Sequence, residues 1–462
     1  MDIVSSRHSL SGSIRVPGSK SHTIRALVLA CLADGTSHIR NPLPSADCLS
    51  TAKAVPLMGA SISLSSAEGK LLDTWTVEGA GKDLHLPTNV VDAGNSGSLL
   101  YFLSPLAATF EGVSVFTGDE SLRSRPVDHV ADVLNQLGAK ACCAVPGSKT
   151  CPLVIQGKTK AGTVRTEGSV SSQYITGLML SALRMDGTLN IELTDPKETP
   201  YLTMTQWWLE SLGAQVHVSS DFKSISVKGP FIPKGFDRTI PGDWEAVAFP
   251  LIAALLTDSD ITIEHVDSSG TQGDDAIVAL LQSVGADIDW NRETESLRVR
   301  GGKKSRNGMG LLSTKNLPDG VLRANLSGYP DAVCALSAIA CFIEGRTIIE
   351  DIAVCRRKET DRISVITKEL TKLGAEVEEG KDFLIINGHS PLKTDGSKNP
   401  NFTLHGGTVE SYLDHRMAMS LSCLGLGLPA EEKLIVRNAE CCSVSFPNFF
   451  DAMNGLGADF HE

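Results

Sequence analysis

Six times along the chain, a run of residues with helical apolar spacing ends in Gly-Ala and passes into a strand-like stretch. The glycines are Gly59, Gly138, Gly213, Gly285, Gly374 and Gly457, at spacings of 79, 75, 72, 89 and 83 residues. Glycine just past a helix takes up the left-handed conformation that lets the chain leave. The small alanine lets the next strand start close by. One such tripeptide carries no information, but six at near-even intervals restrict the fold to copies of one small α/β unit. The period is too long for a solenoid module.

A second regularity divides the copies into two groups. Ile240-Pro241-Gly242-Asp243 resembles Val16-Pro17-Gly18-Ser19 in setting an apolar residue and a Pro-Gly turn ahead of an apolar helix. Read as two chain crossings, they assign residues 1–19 with 242–462 to one domain and 20–241 to the other, three copies in each. The length of 462 residues also exceeds one ordinary core. Helices are expected over 127–137, 174–183, 203–212, 274–284, 331–342, 362–373 and 416–426, and strands over 214–218, 261–265 and 383–386. Residues 301–310 and 391–401, rich in Gly, Lys, Ser and Asn, read as flexible exposed loops.

Composition narrows the function classes. A net charge of −12 argues against a general affinity for nucleic acid or an anionic membrane. No apolar run is long enough to span a bilayer, and the first residues lack the cationic flank and apolar core of a signal peptide. The eleven cysteines include no Cys-x-x-Cys, and many, such as Cys31, Cys334 and Cys423, lie in apolar helical runs. A reducing, cytoplasmic setting is expected. The eleven histidines are scattered without paired ligand spacing, so no metal site is expected.

The chemistry sits in short polar stretches at junctions between loops and helices. Ser19-Lys20-Ser21-His22-Thr23-Ile24-Arg25 follows the first Pro-Gly turn and opens an apolar helix. The free N–H groups and positive dipole end of such a helix favour an anion, and Lys20 and Arg25 add full charges. Arg123 and Arg125 precede Pro126 and could clamp a carboxylate or phosphate bidentately. Ser171-Ser172-Gln173 opens another apolar helix, as an ordinary N-cap or as a phosphate seat. Lys358-Glu359-Thr360-Asp361-Arg362 and Asp414-His415-Arg416 occupy equivalent junctions in the second half. Asp331, opening an apolar helix, is either a favourable dipole partner or a general base. Each stretch alone also has an ordinary reading as a cap, a turn or a solvated face. Together they offer cations, hydroxyls and two carboxylates, an inventory suited to two anionic ligands side by side.

These stretches, with Gly94-Asn95-Ser96-Gly97, occur in the order and spacing of one family: the chain resembles the 5-enolpyruvylshikimate-3-phosphate synthases over essentially its whole length. The resemblance implies an α/β, two-domain enolpyruvyl-transferase-like fold. Each domain would hold three βαβαββ-type units with pseudo-threefold symmetry, and the active site would lie in the cleft at the double crossover. It implies transfer of the enolpyruvyl group of phosphoenolpyruvate to the 5-hydroxyl of shikimate 3-phosphate, in a monomer without cofactor. Ser21, Arg25, Ser171, Ser172, Gln173, Tyr201 and Lys358 would hold shikimate 3-phosphate. Lys20, Gly97, Arg125, Gln173, Arg362 and Arg416 would hold phosphoenolpyruvate. Asp331 and Glu359, with Lys20, would carry the chemistry.

The chain departs from the family pattern at four places. Tyr101 stands where most members have Arg, and Val444 where many have Lys. Asp243-Trp244-Glu245-Ala246 replaces the usual Asp-x-Ser-Ser, and Val354 stands where some members have Asn. These departures leave room for a lyase or transferase acting on shikimate 3-phosphate or another cyclitol phosphate, or for a non-catalytic binding homologue.

Overall fold

The computed structural model describes residues 1–64 and 73–462. They fall into two compact units, Met1–Pro17 with Gly242–Glu462, and Gly18–Pro241.

All six repeat glycines adopt the left-handed conformation, with φ between 90° and 107°. Each closes a helix, and five of them lead directly into an antiparallel strand: Ser61–Ser63, Lys140–Cys143, Gln215–Val218, Asp287–Asn291 and Glu376–Glu379. After Gly457 the strand is reduced to a single bridge between His461 and Val4. The repeat is therefore a physical unit of the form βαβαββ.

In the unit Gly18–Pro241, three four-stranded sheets share one topology. One runs Thr163–Glu167, Gly187–Thr194, Ser224–Gly229, Gln215–Val218, with the first pair parallel and the other two antiparallel. The other two sheets, starting at Val91–Asp92 and at Asp237–Thr239, repeat that pattern. The first helix of each copy is apolar nearly all round: Lys20–Leu32, Gly97–Ala107 and Ser172–Ala182. A helix with no polar face must be an interior one, and from His22 to Leu32 every residue is buried. Two of these helices approach very closely, because a Cβ on Gly177 would lie 2.0 Å from the carbonyl oxygen of Tyr101.

The other unit repeats the plan around the helices Trp244–Leu255, Val333–Ala340 and His415–Gly427. Two sheets have four strands, and the third has three, ordered Ile3–Ser6, Lys433–Arg437, Gly407–Glu410. Ser11–Arg15 pairs in parallel with Asp260–Glu264, so the N-terminal segment contributes to two of the three sheets. Each unit encloses its own apolar core.

The expected helices and strands are present, with ends shifted by a few residues. The helix expected over 203–212 begins earlier, at Thr199, because Pro200 fits a first helical turn. The two loops expected to be flexible are instead tied down. Arg306 binds Asp287 at 2.5 Å and Asp289 at 2.8 Å, and Asn399 donates to Glu344 at 3.1 Å and to the carbonyl of Ser390 at 2.9 Å. Those partners lie up to 55 positions away in sequence, which local composition does not register. Among the described residues no helix is long and apolar enough to cross a membrane.

Candidate active site

In the unit Gly18–Pro241 the functional side chains stand at the starts of its three interior helices. The helix Lys20–Leu32 has Ser19 at its N-cap, yet no side chain caps it, and no acidic residue lies in its first turn. The N-terminal N–H groups of a helix carry a positive field that favours an anion. Lys20 pairs with buried Asp47 at 3.4 Å. Arg25, one turn on, is 2% exposed and sits over the ring of Phe102. Its four hydrogen bonds all run to uncharged oxygens: Thr205 Oγ1 at 2.9 Å, Ser21 O at 2.9 Å, Tyr201 O at 3.1 Å and Thr176 Oγ1 at 3.3 Å. Burial pulls the guanidinium down to about 9, so it is a cation that an incoming anion would stabilise.

Gly97 opens the second helix between two expected ligand groups. A Cβ there would stand 3.6 Å from Gln173 Oε1 and 3.7 Å from Arg125 Nη1. Arg125 is held by Asn95 Oδ1 at 2.9 Å and Ser121 Oγ at 3.1 Å, and Gln173 Oε1 accepts from Ser98 at 3.1 Å. Arg123 does not join them, since it is exposed and donates to the carbonyl of Gly118. Tyr101, in place of the family's arginine, donates to the carbonyl of Pro126 at 3.1 Å. At the third helix Ser171 caps by accepting from the Gln173 N–H. Ser172 gives both its N–H, at 2.9 Å, and its hydroxyl, at 3.0 Å, to Glu198. A buried carboxylate thus already serves the start of that helix.

The other unit carries a denser charge cluster. Arg362 begins the helix Arg362–Lys372 and is fully buried. Its nitrogens reach Asp331 at 2.5 Å, Glu359 at 2.6 Å and Asp414 at 2.8 Å and 3.2 Å. Lys358 lies 3.6 Å and Arg416 3.7 Å from the same Asp331 oxygen. Burial would raise the Asp331 carboxyl, but Lys358, Arg416 and Arg362 outweigh it and hold the group well below the usual carboxylate range. Asp331 is therefore held as the carboxylate. Arg416 also pairs with Glu245.

Within this unit Asp331, Lys358, Glu359, Arg362 and Arg416 thus converge. Within the other, Ser21, Arg25 and Tyr201 form one group, and Gly97, Arg125 and Gln173 with Ser171 and Ser172 a second. Arg362, expected at phosphoenolpyruvate, has each of its nitrogens on a carboxylate. Three acidic groups, Asp47, Glu198 and Asp274, were not singled out in the sequence, and Glu245 stood out only as a departure from the family pattern. Asp414, quoted only within its motif, is a buried N-cap that accepts from the Arg416 N–H and grips Arg362. An aspartate just ahead of an apolar helix is a readable signal for that cap. Nothing local signals the others.

Comparison with known proteins agrees with this geometry. Residues 4–453 match the family model described as EPSP synthase (3-phosphoshikimate 1-carboxyvinyltransferase). A 3-phosphoshikimate 1-carboxyvinyltransferase of Ruminiclostridium cellulolyticum is 34% identical over 456 residues, covering 98% of this chain and 97% of its own length. Its counterpart in Methanocaldococcus jannaschii is 34% identical over 460 residues, covering 99% and 98%. The solved EPSP synthase of Acinetobacter baumannii superposes with a TM-score of 0.78 at 26% identity, covering 100% of this chain and 99% of that one. The enolpyruvyl transferase NikO of Streptomyces tendae, at 19% identity and a TM-score of 0.74, shares the fold.

Proposed function

From the premise that this chain belongs to the EPSP synthase family, we propose how its own residues divide that family's reaction between them. The protein is a transferase of the shikimate pathway. It moves the enolpyruvyl group of phosphoenolpyruvate to the 5-hydroxyl of shikimate 3-phosphate and releases phosphate.

The reaction protonates C3 of the enol while the 5-oxygen bonds to C2. The tetrahedral intermediate then loses phosphate as C3 gives its proton back. Two proton carriers and several fixed cations suffice. Asp331, ionised and aimed by three cations, is the base for the 5-hydroxyl. Glu359, held by Arg362, serves C3. Arg362 acts here as a positioning residue for both carboxylates and for Asp414. Lys20, Arg125, Gly97, Gln173 and Arg416 receive phosphoenolpyruvate. Ser21, Arg25, Ser171, Ser172, Gln173, Tyr201 and Lys358 receive shikimate 3-phosphate. Orientation of two bound reactants can supply roughly 7–11 kcal/mol of the barrier, and cations aimed at developing charge about 3–4 kcal/mol each. The same proposal has the chain work as a monomer in the cytoplasm.

The observation that carries the reading is the Asp331–Arg362–Glu359 cluster, for which a pure binding protein has no use. A coupled phosphate-release assay tests it. Phosphate is expected only when both substrates are present. The Asp331→Asn variant should lose roughly 10²–10⁴ in kcat. Release from shikimate 3-phosphate alone would instead indicate a lyase, and near-normal turnover in the variant would remove Asp331 from its role.

A further inference from the structure

Glu245 stands where the family pattern has a serine, in the first turn of the helix Trp244–Leu255. Asp243 caps that helix and accepts from the Glu245 N–H at 3.0 Å, which fixes where the side chain starts. Its carboxylate oxygen Oε2 pairs with Nη2 of Arg416. Both residues are nearly inaccessible, Arg416 at 2% and Glu245 at 9% exposure. Arg416 also lies near Asp331 on its Nε side. A third acid is close: Asp274 is 4% exposed, and no hydrogen bond reaches its Oδ1 among the described residues. Burial, then the charges of Glu245 and Asp331, push its carboxyl well above the usual range. One guanidinium thus lies against two carboxylates, Glu245 and Asp331. A further carboxylate can reach Nη2 only by taking the place of Glu245.

We infer that Glu245 is an internal occupant of the carboxylate seat on Arg416, with which the carboxylate of phosphoenolpyruvate must exchange. This rests on the assignment of Arg416 to phosphoenolpyruvate above. Asp331 is held by Lys358 and Arg362 as well as Arg416, so Glu245 is the partner that gives way. Exchange costs a charge-assisted hydrogen bond, which a ligand recovers only if a second anionic group finds cations elsewhere. Phosphoenolpyruvate has a phosphate as well as a carboxylate, and simple carboxylates do not. Glu245 is thus a specificity-determining residue, lowering affinity for all carboxylates and excluding those with a single anionic group.

Steady-state kinetics on Glu245→Gln and Glu245→Ser tests this, with melting curves for each. The KM for phosphoenolpyruvate should fall roughly five- to twentyfold, the span of one charge-assisted hydrogen bond no longer broken. That for shikimate 3-phosphate should stay within twofold, and kcat should move less than KM. Inhibition by pyruvate should strengthen by a similar factor. Should neither variant fold, Glu245→Asp, with its charge drawn back by one methylene, should shift KM in the same direction by less. A KM for phosphoenolpyruvate that is unchanged or raised in the folded variants would overturn the inference. Arg416→Ala separates the two levels. If it leaves KM for phosphoenolpyruvate normal, the assignment of Arg416 fails. If it raises KM strongly while the Glu245 variants do nothing, only the exchange fails.

Discussion

His22 shows how a single buried group sets a pH limit. Its Nδ1 accepts from the indole N–H of Trp208 at 3.0 Å, and burial, then Arg25, lowers it to about 3. The unfolded chain takes up this proton near pH 6.5. Between that pH and about 3 the unfolded state binds a proton that the native state refuses, so stability falls as pH falls. The slope approaches about 1.4 kcal/mol per pH unit. Above pH 6.5 the group contributes nothing. The test is direct: His22→Gln keeps an acceptor for Trp208 and should flatten this acid slope in denaturation curves at pH 7, 6 and 5. Parallel slopes for variant and parent would refute it. Glu198 gives a second case. If Ser172 receives the phosphate of shikimate 3-phosphate, the carboxylate now on Ser172 opposes it. Glu198→Gln should then lower the KM for shikimate 3-phosphate severalfold, at a cost of about 0.3–1 kcal/mol from the lost charge at a helix start. A lower melting temperature with unchanged KM would make Glu198 purely a cap. Neither Glu198 nor Glu245 was legible in the sequence as a site residue. Their partners lie 26 and 171 positions away, and a glutamate near a helix start is ordinarily just a favourable dipole partner.

At the scale of elements, site geometry depends on how tightly the interior helices meet. Gly177 is where the helix Ser172–Ala182 touches Tyr101 of its neighbour, and Pro105 Cγ would lie 3.0 Å from an added Cβ. Gly177→Ala should force the pair apart and destabilise by about 1–3 kcal/mol. Ser98 and Gln173, which meet across the same pair at 3.1 Å, should separate, raising the KM for phosphoenolpyruvate. Melting curves and kinetics check both halves, and an unchanged melting temperature would show that the contact yields freely. This contact was not legible, since Gly177 lies inside a helical run with nothing to mark its neighbour. The repeat glycines were legible, because each acts through its own backbone. So were the polar junctions: Asp331, Glu359 and Arg362 stand close in the fold and fall in two short stretches of sequence. What the sequence withheld was pairing between separate segments, as in Arg306 with Asp287 and Asp289 in one loop and Asn399 with Glu344 in the other.

For the whole molecule, the division into two units separates the chemistry by type. Gly18–Pro241 carries Lys20, Arg25, Arg125 and the hydroxyls, while Asp331, Glu359, Arg362 and Arg416 belong to the other unit. The first is one continuous stretch with its own core. Expressed alone, residues 18–241 should fold with a cooperative melt and bind shikimate 3-phosphate in calorimetry, without turnover. A fragment lacking a cooperative transition would show that its core is insufficient alone. The second unit has a different constraint, because Ser5 donates to the carbonyl of Ser422, 417 positions later. At about 5–20 residues per second on the ribosome, the opening strand waits roughly 20–80 s for that partner. Residues 18–241 can therefore mature during translation while the strand holding Ser5 stays unpaired, so chaperones should find their handle on that strand.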